Sequence, residues 1–144
     1  MKNMFDKYSN SFLRDFNFDY LLGKFEKNCF LNFERGEFIY FENELISNIY
    51  FILSGGIFLI KKRSESSDKI ILKYGKGDVI GLEDTLLGKC YSSSAFVSGN
   101  ANVLAISKDD FLKITRKNDD FNLWVLKYLS NKIISMSETI PGNN

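Results

Sequence analysis

The chain has 144 residues, of which 44% are hydrophobic and 15% aromatic, and its 19 lysines and arginines nearly balance 18 aspartates and glutamates. That length fits one domain with a sizeable core, and the balanced charge gives no global field that would favour nucleic acid or an acidic lipid surface. Histidine is absent, which excludes a histidine metal site, a Ser–His or Cys–His dyad and a histidine-ligated haem.

The N-terminus is polar and mixed in charge, unlike a secretion signal. No apolar run approaches the roughly 20 residues that span a membrane. We therefore expect a cytoplasmic protein without a membrane partner. Cys29 and Cys90 lie far apart and lack the spacing of a metal site, which predicts two free thiols.

Apolar residues at helical spacing predict short helices over residues 1–32. From Phe33 the periodicity changes, because short β-branched and aromatic runs alternate with turn-rich segments. The predicted strands are FIYF (38–41), IYFIL (49–53), IFLIKKR (57–63), KIILKY (69–74), AFVS (95–98) and NVLAIS (102–107). Strands this short and this regularly punctuated predict a mainly β fold with flanking helices, in which residues 33–107 form an antiparallel sandwich or roll.

Residues 108–138 are predicted to be helical again. Ser107 is a candidate N-cap, and the acidic residues after it suit the positive end of a helix dipole. A second, long helix runs from Asp119 to about Ser137, with apolar residues at i, i+3 or i+4, and i+7. We expect the helices and the strands to form a single domain.

Three segments resemble the cyclic-nucleotide-binding fold in its order and spacing. GEFIYFENELISNIYFILSGGIFLI (36–60) is similar to its first half, with a Gly-acid turn, an acidic turn and a Ser-Gly-x-Ile hairpin. GKGDVIGLEDTLLG (75–88) resembles the glycine-flanked strand before the phosphate-binding cassette, and NVLAISKDDF (102–111) the last strand and first C-terminal helix. The residues GLEDTLLG (81–88) and YSSSA (91–95) look closer to the catabolite-activator and fumarate-nitrate-regulator superfamily than to the kinase or channel branch of this fold. The resemblance implies a β-roll of the double-stranded β-helix or jelly-roll type and a regulatory protein that is not an enzyme.

The phosphate cassette departs from the pattern of the members that bind cyclic nucleotide. In those members a glutamate directly follows the cassette glycine and takes the ribose hydroxyl, and an arginine further along the loop pairs with the phosphate. In this sequence Leu82 follows Gly81, and the arginine position falls on Ser92 or Ser93. The candidate pocket that the resemblance implies comprises Gly81, Leu82, Glu83, Asp84, Lys89, Ser92, Ser93, Ser94 and Ala95.

The missing arginine bears directly on the ligand. A bidentate pair between arginine and phosphate contributes on the order of 1.5–3 kcal/mol, so its loss should weaken binding roughly ten- to hundredfold. Lys89 is a point charge on a flexible stem and no equivalent. The sequence therefore disfavours cyclic nucleotide as a tightly bound ligand, assigns no cofactor and leaves the small-molecule effector unknown.

Other functions stay open beside a ligand-sensing module. The roll can be degenerate and serve protein interaction or dimerisation without a small ligand. A thiol-based redox sensor can use Cys90, which follows Lys89 in the cassette loop, although an ordinary loop residue is the simpler interpretation. Both basic clusters, at residues 61–63 and 113–117, are interpreted as solvated charge.

The resemblance also implies partners. In the superfamily the long helix pairs with its twin in a homodimer and caps the ligand pocket, which would place Trp124, Tyr128 and Ile133 in the seam. The alternative is that these side chains pack on their own roll. DNA-binding members carry a helix-turn-helix after this helix, and nothing here resembles one. We therefore expect a sensor half of a regulator, or a stand-alone module, that does not bind DNA by itself.

Overall fold

The computed structural model describes residues 25–62 and 69–139. Two compact units are distinguished by their internal packing. One spans residues 26–111 and holds all the described strands, and the described part of the other is residue 25 with residues 112–139. The predicted helices of residues 1–24 lie outside the described residues, and the expectation of a single domain stays a prediction.

The described residues form eight strands joined by short turns. Their bounds are β1 Phe30–Phe33, β2 Phe38–Tyr40, β3 Asn48–Ser54, β4 Ile57–Lys62, β5 Lys69–Tyr74, β6 Val79–Ile80, β7 Ser94–Val97 and β8 Ala101–Ser107. They make two four-stranded sheets, of order β1-β8-β3-β6 and β2-β7-β4-β5, and every pair is antiparallel. The predicted antiparallel roll is therefore confirmed.

The predicted boundary between helix and strand is wrong. Phe30–Phe33 is a strand whose first residue pairs with Leu104 of β8, and a single 3-10 turn, Lys27–Cys29, precedes it. A short apolar run such as CFLNF does not distinguish a strand from a helix by its periodicity. Its pairing with a distant strand decides the outcome.

Inward-facing side chains of the two sheets form one core. Across the second sheet, Val97, Ile57 and Tyr74 lie in one register row, and all three are buried. Tyr50, Ile52 and other residues of the first sheet meet them in the same cluster. Because alternate residues of a strand point to opposite faces, the neighbours of Val97, Ile57 and Tyr74 along their strands point away from this core.

Two helices agree with the prediction of helices over residues 108–138, namely α2 Lys108–Lys117 and α3 Asp119–Thr139. A short helix that was not predicted, α1 Leu82–Leu87, precedes them in the chain. The backbone N–H of Asp110 donates a hydrogen bond to Ser107 Oγ at 3.1 Å, which confirms the predicted N-cap. Asn118 Oδ1 accepts the N–H of Phe121 at 3.0 Å and caps α3 in the same way, which the sequence did not predict. No helix in the described ranges combines the length and apolar character of a membrane span.

Glycines in the turn-rich segments predict turns with positive φ at positions 36, 55, 75 and 77, and one of these predictions is wrong. Turns at Gly36, Gly55 and Gly77 have positive φ, as expected. At Gly55 an added Cβ would overlap the carbonyl oxygen of Asn100, so this turn between β3 and β4 accepts only glycine. Gly75 was expected to share this conformation but does not adopt a positive φ.

Candidate functional site

Gly81 joins β6 to α1 and begins the cassette. Its backbone is left-handed, with φ 85° and ψ −1°, a region that favours glycine. A Cβ at this position would lie 3.3 Å from Asn48 O and 3.4 Å from Tyr91 Cε1. Gly81 therefore allows the cassette backbone to lie directly against the start of β3.

The residues after Gly81 divide between the core and the cassette. Leu82, at the position where nucleotide-binding members carry glutamate, is buried in the roll. Glu83 and Asp84 are half-buried in the first turn of α1. Because Leu82 is apolar and buried, this position offers no carboxylate to accept a hydrogen bond from a ribose hydroxyl.

The Asp84 side chain binds the backbone of the cassette loop at Ser92. Its Oδ2 accepts a hydrogen bond from the backbone N–H of Ser92 at 3.1 Å. Backbone N–H groups of a turn are the donors with which such loops bind anions. In this chain the N–H of Ser92 already donates to the Asp84 carboxylate, so it is not available to an anionic ligand while that hydrogen bond is kept.

Of the remaining predicted residues only Lys89 carries a positive charge, and its side chain is exposed. Ser93 is buried, and Ser94 Oγ accepts the backbone N–H of Glu42 at 2.9 Å. Ala95 is buried in the core, whereas Ser92 and Lys89 are exposed. Among the predicted pocket residues, Asp84 and Ser92 are joined by a hydrogen bond.

Tyr91, which the sequence analysis did not select, fills the space beneath the cassette. Its ring stacks on that of Tyr40, with centroids 3.7 Å apart and planes 11° from parallel. Its hydroxyl donates to Asn48 O at 2.7 Å and accepts the N–H of Asn48 at 3.1 Å. The available signal is that Tyr91 is the one aromatic residue in the loop GKCYSSSA (88–95).

Tyr40 presents an unusual hydroxyl. Among the side chains that the structure describes, its hydroxyl is the one fully buried polar atom without a hydrogen-bond partner. Burial raises the pKa of Tyr40 above its ordinary value, and the nearby groups of Asp84, Tyr91 and Glu83 raise it further. The Tyr40 phenol therefore stays protonated at pH values at which an exposed tyrosine ionises, and the cassette carboxylates contribute to this rise in its pKa.

The cysteines and the other acidic groups suggest no separate centre. Cys29 and Cys90 are both half-buried thiols outside any disulfide, as predicted, and Cys90 forms an isolated β-bridge with Leu45. Within residues 25–62 and 69–139, no group of three or more metal-ligating side chains is placed to hold a metal ion.

The three predicted seam residues of α3 have different environments. Trp124 and Tyr128 are buried within a single chain, and their rings stack with centroids 5.5 Å apart. Ile133 is 65% exposed. The two aromatic residues are therefore buried within one protomer whereas Ile133 is exposed, and the seam stays a prediction.

Comparisons with known proteins agree with this geometry. The family profile described as "Cyclic nucleotide-binding domain" matches residues 30–118, more than half of the chain. The catabolite activator protein of Thermus thermophilus is similar in structure, with a TM-score of 0.69 and 20% identity over 83% of this chain and 55% of that chain. A transcriptional regulator of Thermotoga maritima has a TM-score of 0.68 and 19% identity over 85% of this chain and 94% of that chain. The c-di-GMP responsive global regulator of Xanthomonas campestris has a TM-score of 0.65 and 10% identity over 76% of this chain and 56% of that chain.

This chain spans about half the length of the catabolite activator protein and of the c-di-GMP responsive regulator. No curated protein sequence matches it. The family profile and the fold likeness confirm the predicted resemblance to the catabolite-activator type of roll. The chain belongs to the cyclic nucleotide-binding domain family.

Proposed function

We propose that this chain is a regulatory module that acts by binding rather than by catalysis and does not bind cAMP or cGMP tightly. The observation that carries the proposal is the hydrogen bond from Ser92 N–H to Asp84. A cyclic phosphate entering this cassette would meet the carboxylates of Asp84 and Glu83. Burying an anion beside like charges, without a compensating cation, is unfavourable.

The residue at the anchor position supports the same conclusion. Ser93 is one of the two positions that align with the phosphate-binding arginine, and only 8% of its surface is exposed. Its hydroxyl can donate one hydrogen bond but carries no charge. Losing the charged pair corresponds to roughly ten- to hundredfold weaker binding.

Thermal melting of the purified chain tests this proposal. The protein is melted with millimolar cAMP, cGMP and, as a control, AMP. A specific ligand at about 100 times its Kd would stabilise the folded state by roughly 2.7 kcal/mol. We expect the melting temperature with each of the three nucleotides to equal that of the protein alone. A shift with one cyclic nucleotide alone would contradict the proposal.

A second candidate function is a protein-interaction module without any small ligand. The stacked rings of Tyr40 and Tyr91 favour it, because they occupy the interior next to the cassette. Native mass spectrometry of the freshly purified chain separates the two functions. A non-covalently retained small molecule would contradict the ligand-free function, and the bare protein mass would support it.

We also propose that the module is a homodimer through α3. Leu126 and Ile133 are seven residues apart and 62% and 65% exposed, and Leu123, three residues before Leu126, is exposed as well. Apolar residues at intervals of three and seven form the seam of paired helices. In this proposal the seam uses these exposed residues, and Trp124 and Tyr128 support it from inside the protomer.

A further inference from the structure

The sheet β2-β7-β4-β5 carries apolar side chains on the face that points away from the core. In β4, Ile57 and Leu59 pack into the core, so the alternate residues Phe58 and Ile60 point outward. Phe58 pairs with Phe96 of β7, and that residue is flanked by the buried Ala95 and Val97. An antiparallel sheet with one solvated face is expected to be polar there.

These outward side chains form one continuous patch. Phe38 stacks on Phe41 with ring centroids 4.7 Å apart and lies edge-on to Phe96 at 5.2 Å. Ile60 pairs with Ile71 of the edge strand β5, and Ile71 is 58% exposed. The outer apolar face is defined as Phe38, Phe41, Phe58, Ile60, Ile71 and Phe96. Exposed patches that join several large apolar side chains mark interaction surfaces.

Three lysines of β4 and β5 border the outer apolar face. Lys73 pairs with Phe58, and Lys62 pairs directly with Lys69, so all three lysines share the outward orientation of the patch. Like charges directly opposite each other in a sheet are destabilising. All three are exposed, and none forms an ion pair with another described residue. A partner that brings carboxylates to this border would relieve the repulsion between Lys62 and Lys69.

We infer that the outer apolar face docks an amphipathic helical segment of a partner protein whose apolar side is bordered by acidic residues. The phenylalanine and isoleucine side chains receive the apolar side, and Lys62, Lys69 and Lys73 pair with the acidic border. A helix laid on the face of a sheet is one of the common layered arrangements of proteins. This surface belongs to the unit of residues 26–111 and does not depend on any ligand in the cassette.

Fluorescence anisotropy with two labelled synthetic peptides tests the inference on the full chain. Both peptides are amphipathic helices with leucine and phenylalanine on one side, and the border carries glutamates in one and lysines in the other. We expect the glutamate peptide to bind at least about tenfold more tightly than the lysine peptide at low salt, with the difference shrinking as salt is added.

Variants assign the binding to this surface. We expect the triple change Lys62→Glu, Lys69→Glu, Lys73→Glu to weaken binding of the glutamate peptide at least about tenfold, and Ile71→Asp to weaken binding of both peptides. The matched controls are the triple change Lys27→Glu, Lys76→Glu, Lys113→Glu and the single change Leu87→Asp, all at exposed positions outside the patch. Melting curves verify that each variant is folded.

Four outcomes would overturn the inference. Two are failure of the glutamate peptide to bind and equal affinity for the two peptides. The third is binding to phosphatidylglycerol vesicles without peptide binding, which would assign the patch to an anionic lipid surface. The fourth is an assembly larger than a dimer in sedimentation that Ile71→Asp abolishes, which would assign the patch to a second copy of this chain.

Discussion

Tyr40 of β2 and Tyr91 of the cassette loop stack with ring centroids 3.7 Å apart, yet their hydroxyls differ in hydrogen bonding. The Tyr91 hydroxyl bonds to both backbone groups of Asn48, whereas the Tyr40 hydroxyl is buried without a partner. The ring of Tyr40 therefore stabilises the fold, and its oxygen does not. Tyr91 contributes both its ring and its oxygen.

This difference predicts opposite effects of two identical changes. Tyr40→Phe removes an unsatisfied buried hydroxyl, so we expect the free energy of unfolding to rise by about 1 kcal/mol. Tyr91→Phe removes the hydroxyl that bonds to the backbone of Asn48, so we expect the free energy of unfolding to fall by about 1–3 kcal/mol. Urea unfolding of both variants measures this, and a loss of stability in Tyr40→Phe would contradict the argument.

The raised pKa of Tyr40 predicts a loss of stability at alkaline pH. In the unfolded chain a tyrosine ionises near its ordinary pKa of about 10, whereas burial keeps Tyr40 protonated in the fold. Its contribution is therefore fully present below pH ~10 and is lost as pH rises above it. Unfolding measured on both sides of that pH should show a smaller loss in Tyr40→Phe than in the wild type. Burial also raises the pKa of Tyr50, but that residue acts equally in both proteins and cancels in the comparison.

The left-handed turn of the cassette predicts that Gly81→Ala is costly. Its φ is 85° and an added Cβ would lie 3.3 Å from the carbonyl oxygen of Asn48, so we expect a loss of about 1–3 kcal/mol in the free energy of unfolding. Gly99→Ala is the control, because no atom lies within 4 Å of its Cβ position and its φ is not left-handed. Equal effects of the two changes would contradict the role given to Gly81.

The internal carboxylate of the cassette predicts how nucleotide affinity responds to charge. Asp84→Asn keeps an oxygen for Ser92 N–H but removes the negative charge. If that charge repels a cyclic phosphate, we expect the affinity for cAMP to rise at least about fivefold, corresponding to about 1 kcal/mol. Titration calorimetry measures it, with the exposed Asp109→Asn as the control. An unchanged affinity would show that Asp84 does not exclude the phosphate.

The seam proposed for α3 predicts that Ile133→Glu separates the dimer. Ile133 is 65% exposed in one chain, so the change should lower the mass in sedimentation to that of a 16.6 kDa protomer without unfolding it. Tyr128→Glu should instead destabilise the protomer itself, because a charge would be buried without a partner. Leu87→Glu, at an exposed position outside α3, is the control, and a dimer that survives Ile133→Glu would contradict the seam.

Features that depend on neighbouring residues in the chain could be predicted from the amino-acid order alone. The longer strands follow from runs such as IYFIL and KIILKY between turn residues, because strand propensity and turn chemistry are local. The cap at Ser107 is equally local, since its hydroxyl reaches an N–H only three residues away. The sequence alone also shows Leu82 where nucleotide-binding members carry glutamate and Ser92 or Ser93 where they carry arginine.

Features that depend on contacts between residues far apart in the sequence could be read only from the tertiary structure. The two-residue strand β6 is stabilised by pairing with Tyr50 and Phe51, and β1 by pairing with β8, which no local pattern predicts. The stack of Tyr40 on Tyr91 and the outward row from Phe96 to Phe58 arise from sheet register and closure of the roll. Local propensities determine which segments become strands, but which side chains meet across the roll depends on how those strands pair.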